Sequence, residues 1–229
     1  VVSLDYQAPL YLLSIKGGYD ISDLDYRFGN IRSHTLTQQS YASISLKGFI
    51  GNKFSWQTGM NYDGFVRDFD DTTASVFYAL HPEGPVDYAD TVVRRPIIEG
   101  HAYVNYALSE RTHLSAGLRT NVPVADQASF LSFQAALRQD LGLKHSFLLS
   151  AGRYHSFTIP GFFFRGTELL RADQLALDYS YKSNRLEWQA AIFAKDELGS
   201  QLNGEIPISR ARIVGVEAFV QYILGRYVA

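Results

Sequence analysis

Apolar residues recur at every second position along much of the chain, and short turns separate the stretches that carry them. Leu175, Leu177, Tyr179 and Tyr181 occupy one set of alternate positions, a turn follows at Lys182 to Arg185, and Leu186, Trp188, Ala190, Ile192 and Ala194 continue the pattern. Gln174, Asp178, Ser180, Glu187, Gln189 and Lys195 fill positions between them. A period of two with one apolar side predicts strands, because successive side chains point to opposite faces of a sheet.

Read this way, the chain predicts about eleven strands, near residues 1 to 7, 11 to 19, 39 to 50, 54 to 66, 96 to 108, 111 to 121, 128 to 139, 144 to 155, 172 to 182, 185 to 196 and 210 to 224. The connections at Ala8 to Leu10, Gly51 to Lys53, Ser109 to Glu110, Asp140 to Leu143 and Lys182 to Asn184 are tight. Those at 20 to 38, 67 to 95, 156 to 171 and 197 to 209 read as long loops, with Val122 to Gln127 intermediate. Short and long alternate, as in transmembrane barrels with short periplasmic turns and long extracellular loops. The fold class expected is therefore all-β, an antiparallel transmembrane β-barrel.

Composition narrows the choice. No stretch approaches the roughly 18 to 20 consecutive apolar residues of a spanning helix, so a membrane crossing must use strands, and lipid demands that they close into a barrel. The chain has no cysteine, hence no disulfide framework, and its formal charge of −2 offers no basic stripe for nucleic acid. Phe54, Trp56, Tyr106, Phe147, Tyr179, Tyr181, Trp188 and Tyr222 fall on the apolar side near the short turns, where an interfacial girdle would lie. His113, Ser115 and Gly117 form a His-x-Ser-x-Gly pattern, but on the polar side of a strand. Neither that pattern nor any metal-ligand or phosphate-loop spacing makes a catalytic case, so the chain is expected to be no enzyme and to hold no metal or cofactor.

Two segments carry a further pattern: one runs from Ser150 through Gly152, Arg153 and Tyr154 to Pro160, then Leu169 to Gln174, and the other is Ala211 to Glu217, containing Ile213, Gly215 and Glu217. Both resemble segments of TonB-dependent outer-membrane transporters of the Bacteroidetes type, with Arg171 and Asp173 where that family often has Pro and Glu nearby. The resemblance implies the later part of a barrel of about twenty-two strands around a plug domain, this chain supplying about eleven strands and no plug. It further implies TonB-dependent uptake of a bulky solute (siderophore, cobalamin, glycan or peptide) across the bacterial outer membrane. The partners it implies are TonB, the plug, outer-membrane lipid and a surface lipoprotein. A passive porin or structural barrel is the alternative in the same compartment, and a soluble all-β binding protein the alternative outside it.

Strand parity supplies the candidate residues. Gln57, Asn61, Asp63, Glu99, His101, Tyr103, Arg119, Gln134, Arg138 and Glu217 are expected to line the lumen, either as plain wall residues or as solute contacts. Glu217 is expected to pair with a basic residue on a neighbouring strand or on the plug, since a carboxylate facing lipid would be costly. Phe162, Phe163, Phe164 and Arg165 are the substrate-binding candidates, with packing inside the loop bundle as the other reading.

Overall fold

A computed structural model describes residues 1–75, 81, 83–124, 127–158, 168–202 and 206–222 of the chain. Its strands are β1 (Val2–Gln7), β2 (Tyr11–Phe28), β3 (Ile31–Ile50), β4 (Phe54–Ala74), β5 (Val86–Ser109), β6 (Thr112–Val122), β7 (Leu131–Leu141), β8 (His145–Phe157), β9 (Leu169–Lys182), β10 (Leu186–Leu202) and β11 (Ile206–Tyr222). They form one eleven-stranded antiparallel sheet in which each strand pairs with its sequence neighbours. At Gly51 and Gly142 the short turns need φ of 58° and 80°, a left-handed backbone that glycine adopts without a side-chain clash.

Register carries the alternation of the sequence across the sheet as rows. Ala151, Leu175, Ala194 and Val214 are successive partners on β8 to β11. The next row towards the short turns is Leu149, Leu177, Ile192 and Val216, and the one after it Phe147, Tyr179, Ala190 and Ala218. This face is apolar and unusually open to its surroundings, with Leu175 and Ile192 each 53% exposed. So large a continuous apolar surface needs lipid or a partner over it. Aromatic rings gather at its short-turn edge: Phe147 and Tyr179 lie 4.9 Å apart, Tyr179 and Trp188 4.8 Å.

The other face is polar over its short-turn half and buries a small core over the remainder. Ile97 of β5, Phe130 just before β7 and Phe157 at the end of β8 meet there, with Leu169 against them. Since β6 and β7 intervene between β5 and β8, side chains that close over this span mark it as the inner, concave face of the curving sheet.

The long loops at 20 to 38 and 67 to 95 are corrected by the structure. β2 runs on to Phe28 and β3 starts at Ile31, joined by a turn at Gly29 and Asn30; β4 runs to Ala74 and β5 starts at Val86. The connection 197 to 209 likewise consists mostly of strand, since β10 ends at Leu202 and β11 begins at Ile206. The reason is that backbone pairing persists where the apolar alternation stops. Asp20, Ser22, Asp23 and Asp25 pair in continuous register with Gln39, Thr37, Leu36 and His34, so the ladder extends without a lipid-facing row to announce it.

Close backbone approach sets a sharp requirement at Gly59 of β4. A Cβ there would lie 2.5 Å from the Ile44 carbonyl oxygen and 2.9 Å from the His101 ring, whereas a Cβ at Gly100 on the adjoining strand meets nothing within 4 Å. Gly59→Ala is therefore expected to lower unfolding stability by ~1–3 kcal/mol, and Gly100→Ala to leave it within ~0.5 kcal/mol or raise it. Urea unfolding of the intact protein in lipid vesicles measures both; equal effects would contradict this packing.

Candidate functional site

The polar side chains of the inner face converge away from the short turns. On β4 the inward positions run Asp63, Phe65, Arg67, Phe69 and Asp71, and opposite them on β5 stand Ile97, Arg95, Val93, Thr91 and Ala89. Phe65 and Phe69 are almost wholly buried. The Arg67 guanidinium lies over both rings, 4.9 Å from the Phe65 centroid and 5.7 Å from that of Phe69, and its Nε donates to Thr37 Oγ1 at 3.0 Å. Arg95 faces Phe65 from the other side at 5.4 Å. Such cation–π contacts hold a guanidinium in place against the rings.

Arg95 also fastens the upper part of this face. It is 6% exposed, donates from Nη1 to the carbonyl oxygens of Thr158 at 2.9 Å and Phe157 at 3.4 Å, and its Nη2 lies 3.7 Å from Asp63 Oδ2. The connection from β6 to β7 is tied down beside it. Asn121 Nδ2 donates to the Ala128 carbonyl at 3.0 Å, the Phe130 amide donates to Asn121 Oδ1 at 2.8 Å, and Gln127 Nε2 donates to the Pro96 carbonyl at 2.7 Å. Phe130 is thereby held inward, stacked on His155 at 5.3 Å and edge-on to Phe157 at 6.0 Å.

Arg119 completes the group. Its guanidinium lies 5.5 Å over Phe130, 3.7 Å from Glu99 Oε2, and donates to the His155 carbonyl. A cavity of about 400 Å³ opens beside it, lined by Tyr154, His155, Arg171, Lys195 and Glu197, the last two forming an ion pair. The inner face therefore presents guanidinium groups interleaved with aromatic rings, an arrangement suited to a bulky solute that carries both negative charge and flat or apolar surface.

All ten residues expected at the lumen stand on this one face, as register shows: Gln57 opposite Tyr103, Asn61 opposite Glu99, His101 opposite Arg119, Gly117 opposite Gln134, and His113 opposite Arg138. The structure draws Asp63, Glu99, His101, Tyr103 and Arg119 together, with the His101 and Tyr103 rings 5.3 Å apart. Arg138 stays near the short turns and pairs with Asp140 at 2.9 Å. Glu217 reaches the same face through Lys195, Ile213 and the following positions of β11, but makes no ion pair among the described residues; its cross-strand neighbour is Ala191. Phe162, Phe163, Phe164 and Arg165 lie outside the described residues.

Sequence reasoning missed Phe65, Arg67, Phe69, Arg95 and Phe130. Phe65 lies within the strand expected at 54 to 66, on the parity of Asp63, and Arg67, Phe69 and Arg95 continue the parity of Asp63 and Glu99 just past the assigned strand ends, so extending the count by a few positions would have found them. Phe130 sits on a connection whose inward turn depends on the Asn121 hydrogen bonds.

No protein-family model and no curated protein sequence matches the chain. Solved structures do. The ferric yersiniabactin uptake receptor FyuA from Yersinia pestis matches over 98% of this chain and 39% of its own, at 11% identity and a TM-score of 0.70. The ferric-catecholate import receptor Fiu from K12 E. coli matches over 96% of this chain and 43% of its own, at 11% identity and 0.71. The siderophore receptor PiuA from Acinetobacter baumannii matches over 98% and 44%, at 13% identity and 0.65. The chain thus has the fold of a receptor's transmembrane barrel wall, and spans about two fifths of the length of the structures it matches.

Arg95→Met removes two charge-assisted hydrogen bonds from a buried position and is expected to cost ~2–4 kcal/mol. Denaturant unfolding checks it; a midpoint equal to that of the unsubstituted protein would show that Arg95 does not fasten β5 to β8.

Proposed function

We propose that the chain is the later part of the barrel of a TonB-dependent receptor in the bacterial outer membrane, and that the whole protein takes up a bulky anionic metal chelate of the siderophore kind. The observation that carries this reading is the set of guanidinium groups on aromatic rings, Arg67 on Phe65 and Phe69 and Arg119 on Phe130, on the inner face of a sheet whose outer face is apolar. The named similarities to ferric-chelate receptors support the same solute class. A general diffusion pore needs no such convergence, because a site that binds strongly slows passage.

In this reading the ten inner-face residues from Gln57 to Glu217 line the lumen. Arg67 and Arg119 give the solute its charge contacts, and Asp63 and Glu99 keep Arg95 and Arg119 oriented. The plug that closes the lumen and the TonB contact that moves it belong to the rest of the protein, with a surface lipoprotein as a further partner.

Cells producing the intact protein are expected to accumulate radiolabelled ferric catecholate or ferric hydroxamate chelates, and to stop doing so when TonB is removed. The combined Arg67→Gln and Arg119→Gln variant is expected to bind the chelate about tenfold more weakly, the loss of one or two charge-assisted hydrogen bonds. Accumulation that continues without TonB would indicate a passive pore, and failure to take up any chelate of either class would remove the solute assignment.

A further inference from the structure

Strand β2 reverses its amphipathic sense part-way along. Tyr11, Leu13, Ile15, Tyr19 and Ile21 stand on the outer face, with Ser14, Lys16, Asp20 and Ser22 among the inward positions. From Asp23 onward the outer positions are Asp23, Asp25 and Arg27, and the inner ones are Leu24, Tyr26 and Phe28. The outer charges are paired locally: Arg27 Nη2 lies 3.4 Å from Asp25 Oδ2, and His34 Nδ1 lies 3.4 Å from Asp23 Oδ1. A surface so charged meets water and not hydrocarbon. Lipid therefore does not account for the three apolar side chains on the opposite face.

Those three are bare as well as apolar. Leu24 is 59%, Tyr26 52% and Phe28 55% exposed, at successive alternate positions of one strand. Register continues the inner site onto them. Ser22 shares its row with Thr37 and Arg67, Leu24 with Thr35 and Phe69, Tyr26 with Ser33 and Asp71, and Phe28 with Ile31 and Thr73. In the first three of these rows β3 contributes only the small hydroxyl side chains of Thr37, Thr35 and Ser33, so the larger side chains of β2 stand above their neighbours as a strip. From the Arg67 row to Phe28 the strip spans roughly 20 Å at the rise of an extended chain. At its lower end the Arg67 guanidinium is held by Thr37 Oγ1 at 3.0 Å and by the rings of Phe65 and Phe69. A charged contact thus opens onto an apolar run that faces the lumen side, where an exposed apolar patch marks a binding surface.

We propose that this strip binds a hydrocarbon tail of the solute, which is an acylated chelate with its anionic head at Arg67 and its acyl chain along Leu24, Tyr26 and Phe28. The strip is linear and one side chain wide, a shape that a flexible hydrocarbon chain follows along its length. Removing that chain from water supplies the driving force, and Arg67 supplies the charge contact at the end where chain and head would join. The proposal rests on the solute reading given above, which assigns the head but not what it carries.

The test is equilibrium binding of two ferric hydroxamate chelates, alike in the head and differing only in an acyl chain, to the intact protein in lipid nanodiscs. Each methylene taken out of water strengthens binding by up to about fourfold, so even partial contact should favour the acylated chelate by about tenfold. Leu24→Thr with Phe28→Thr should abolish that preference and leave the affinity for the chelate without a chain unchanged, whereas Arg67→Gln should weaken both. Equal binding of the two chelates by the unsubstituted protein, or a preference that survives in the double variant, would overturn the proposal. Single cysteines at positions 24 and 28 of the intact protein should react with a water-soluble maleimide and be shielded by the acylated chelate alone. Thiols shielded before any chelate is added would show that another segment of the protein covers the strip, and would also overturn it. If neither chelate binds, the solute reading fails and the tail site with it, an outcome distinct from equal binding of both.

Discussion

A strand in hydrocarbon has no water to satisfy its amide and carbonyl groups, and nearly everything in this chain follows from that requirement. It makes β2 to β10 each pair on both sides, which a meander in sequence order does with the shortest connections. It also divides every strand into alternate residues that meet lipid and residues that do not. The apolar rows, the aromatic edge near the short turns and the polar inner face are three expressions of one pairing rule.

The same rule explains how far the fold could be read from the sequence. Between Leu175 and Ala194, lipid imposes the alternation, and the strand positions and the inward or outward sense of each residue are legible. Beyond the apolar band the outward positions turn polar, Asp23, Asp25 and Arg27 on β2, so Asp20 to Phe28 and Ile31 to Ser40 pair as strands although the outer apolar row has stopped, and the short alternation of Leu24, Tyr26 and Phe28 falls on the opposite face. Those segments read as loops because hydrophobic patterning reports the solvent around a strand and not the pairing of its backbone.

The inner site was half legible for a related reason. Asp63, Glu99, His101 and Arg119 lie within reach of the periodic region and could be placed by parity. Arg67 and Arg95 lie just past it. Their roles depend on tertiary contacts, Arg95 with the carbonyls of Phe157 and Thr158 and Arg67 with two rings, that no local pattern encodes. The outer charged row is a further case: Arg153, Asp173, Asp196 and Arg212 stand on four strands, and only the register of β8 to β11 makes them neighbours. The fold thus places one set of guanidinium groups inside, among aromatic rings, and another outside, where the apolar rows end.

The central claim is that successive residues of one strand face lipid and the lumen in turn, and that the lipid rows end at Asp196. The chain contains no cysteine, so single thiols can be introduced along it without a competing one. Cysteines placed one at a time from Trp188 to Leu198 of β10, carrying a fluorophore and quenched by nitroxide lipids in vesicles of the intact protein, measure this directly. Strong quenching at positions 190, 192 and 194, weak quenching at 189, 191 and 195, and loss of the alternation from position 196 onward is the predicted result. Uniform quenching, or an alternation of the opposite phase, would contradict the assignment of faces from which the inner site follows.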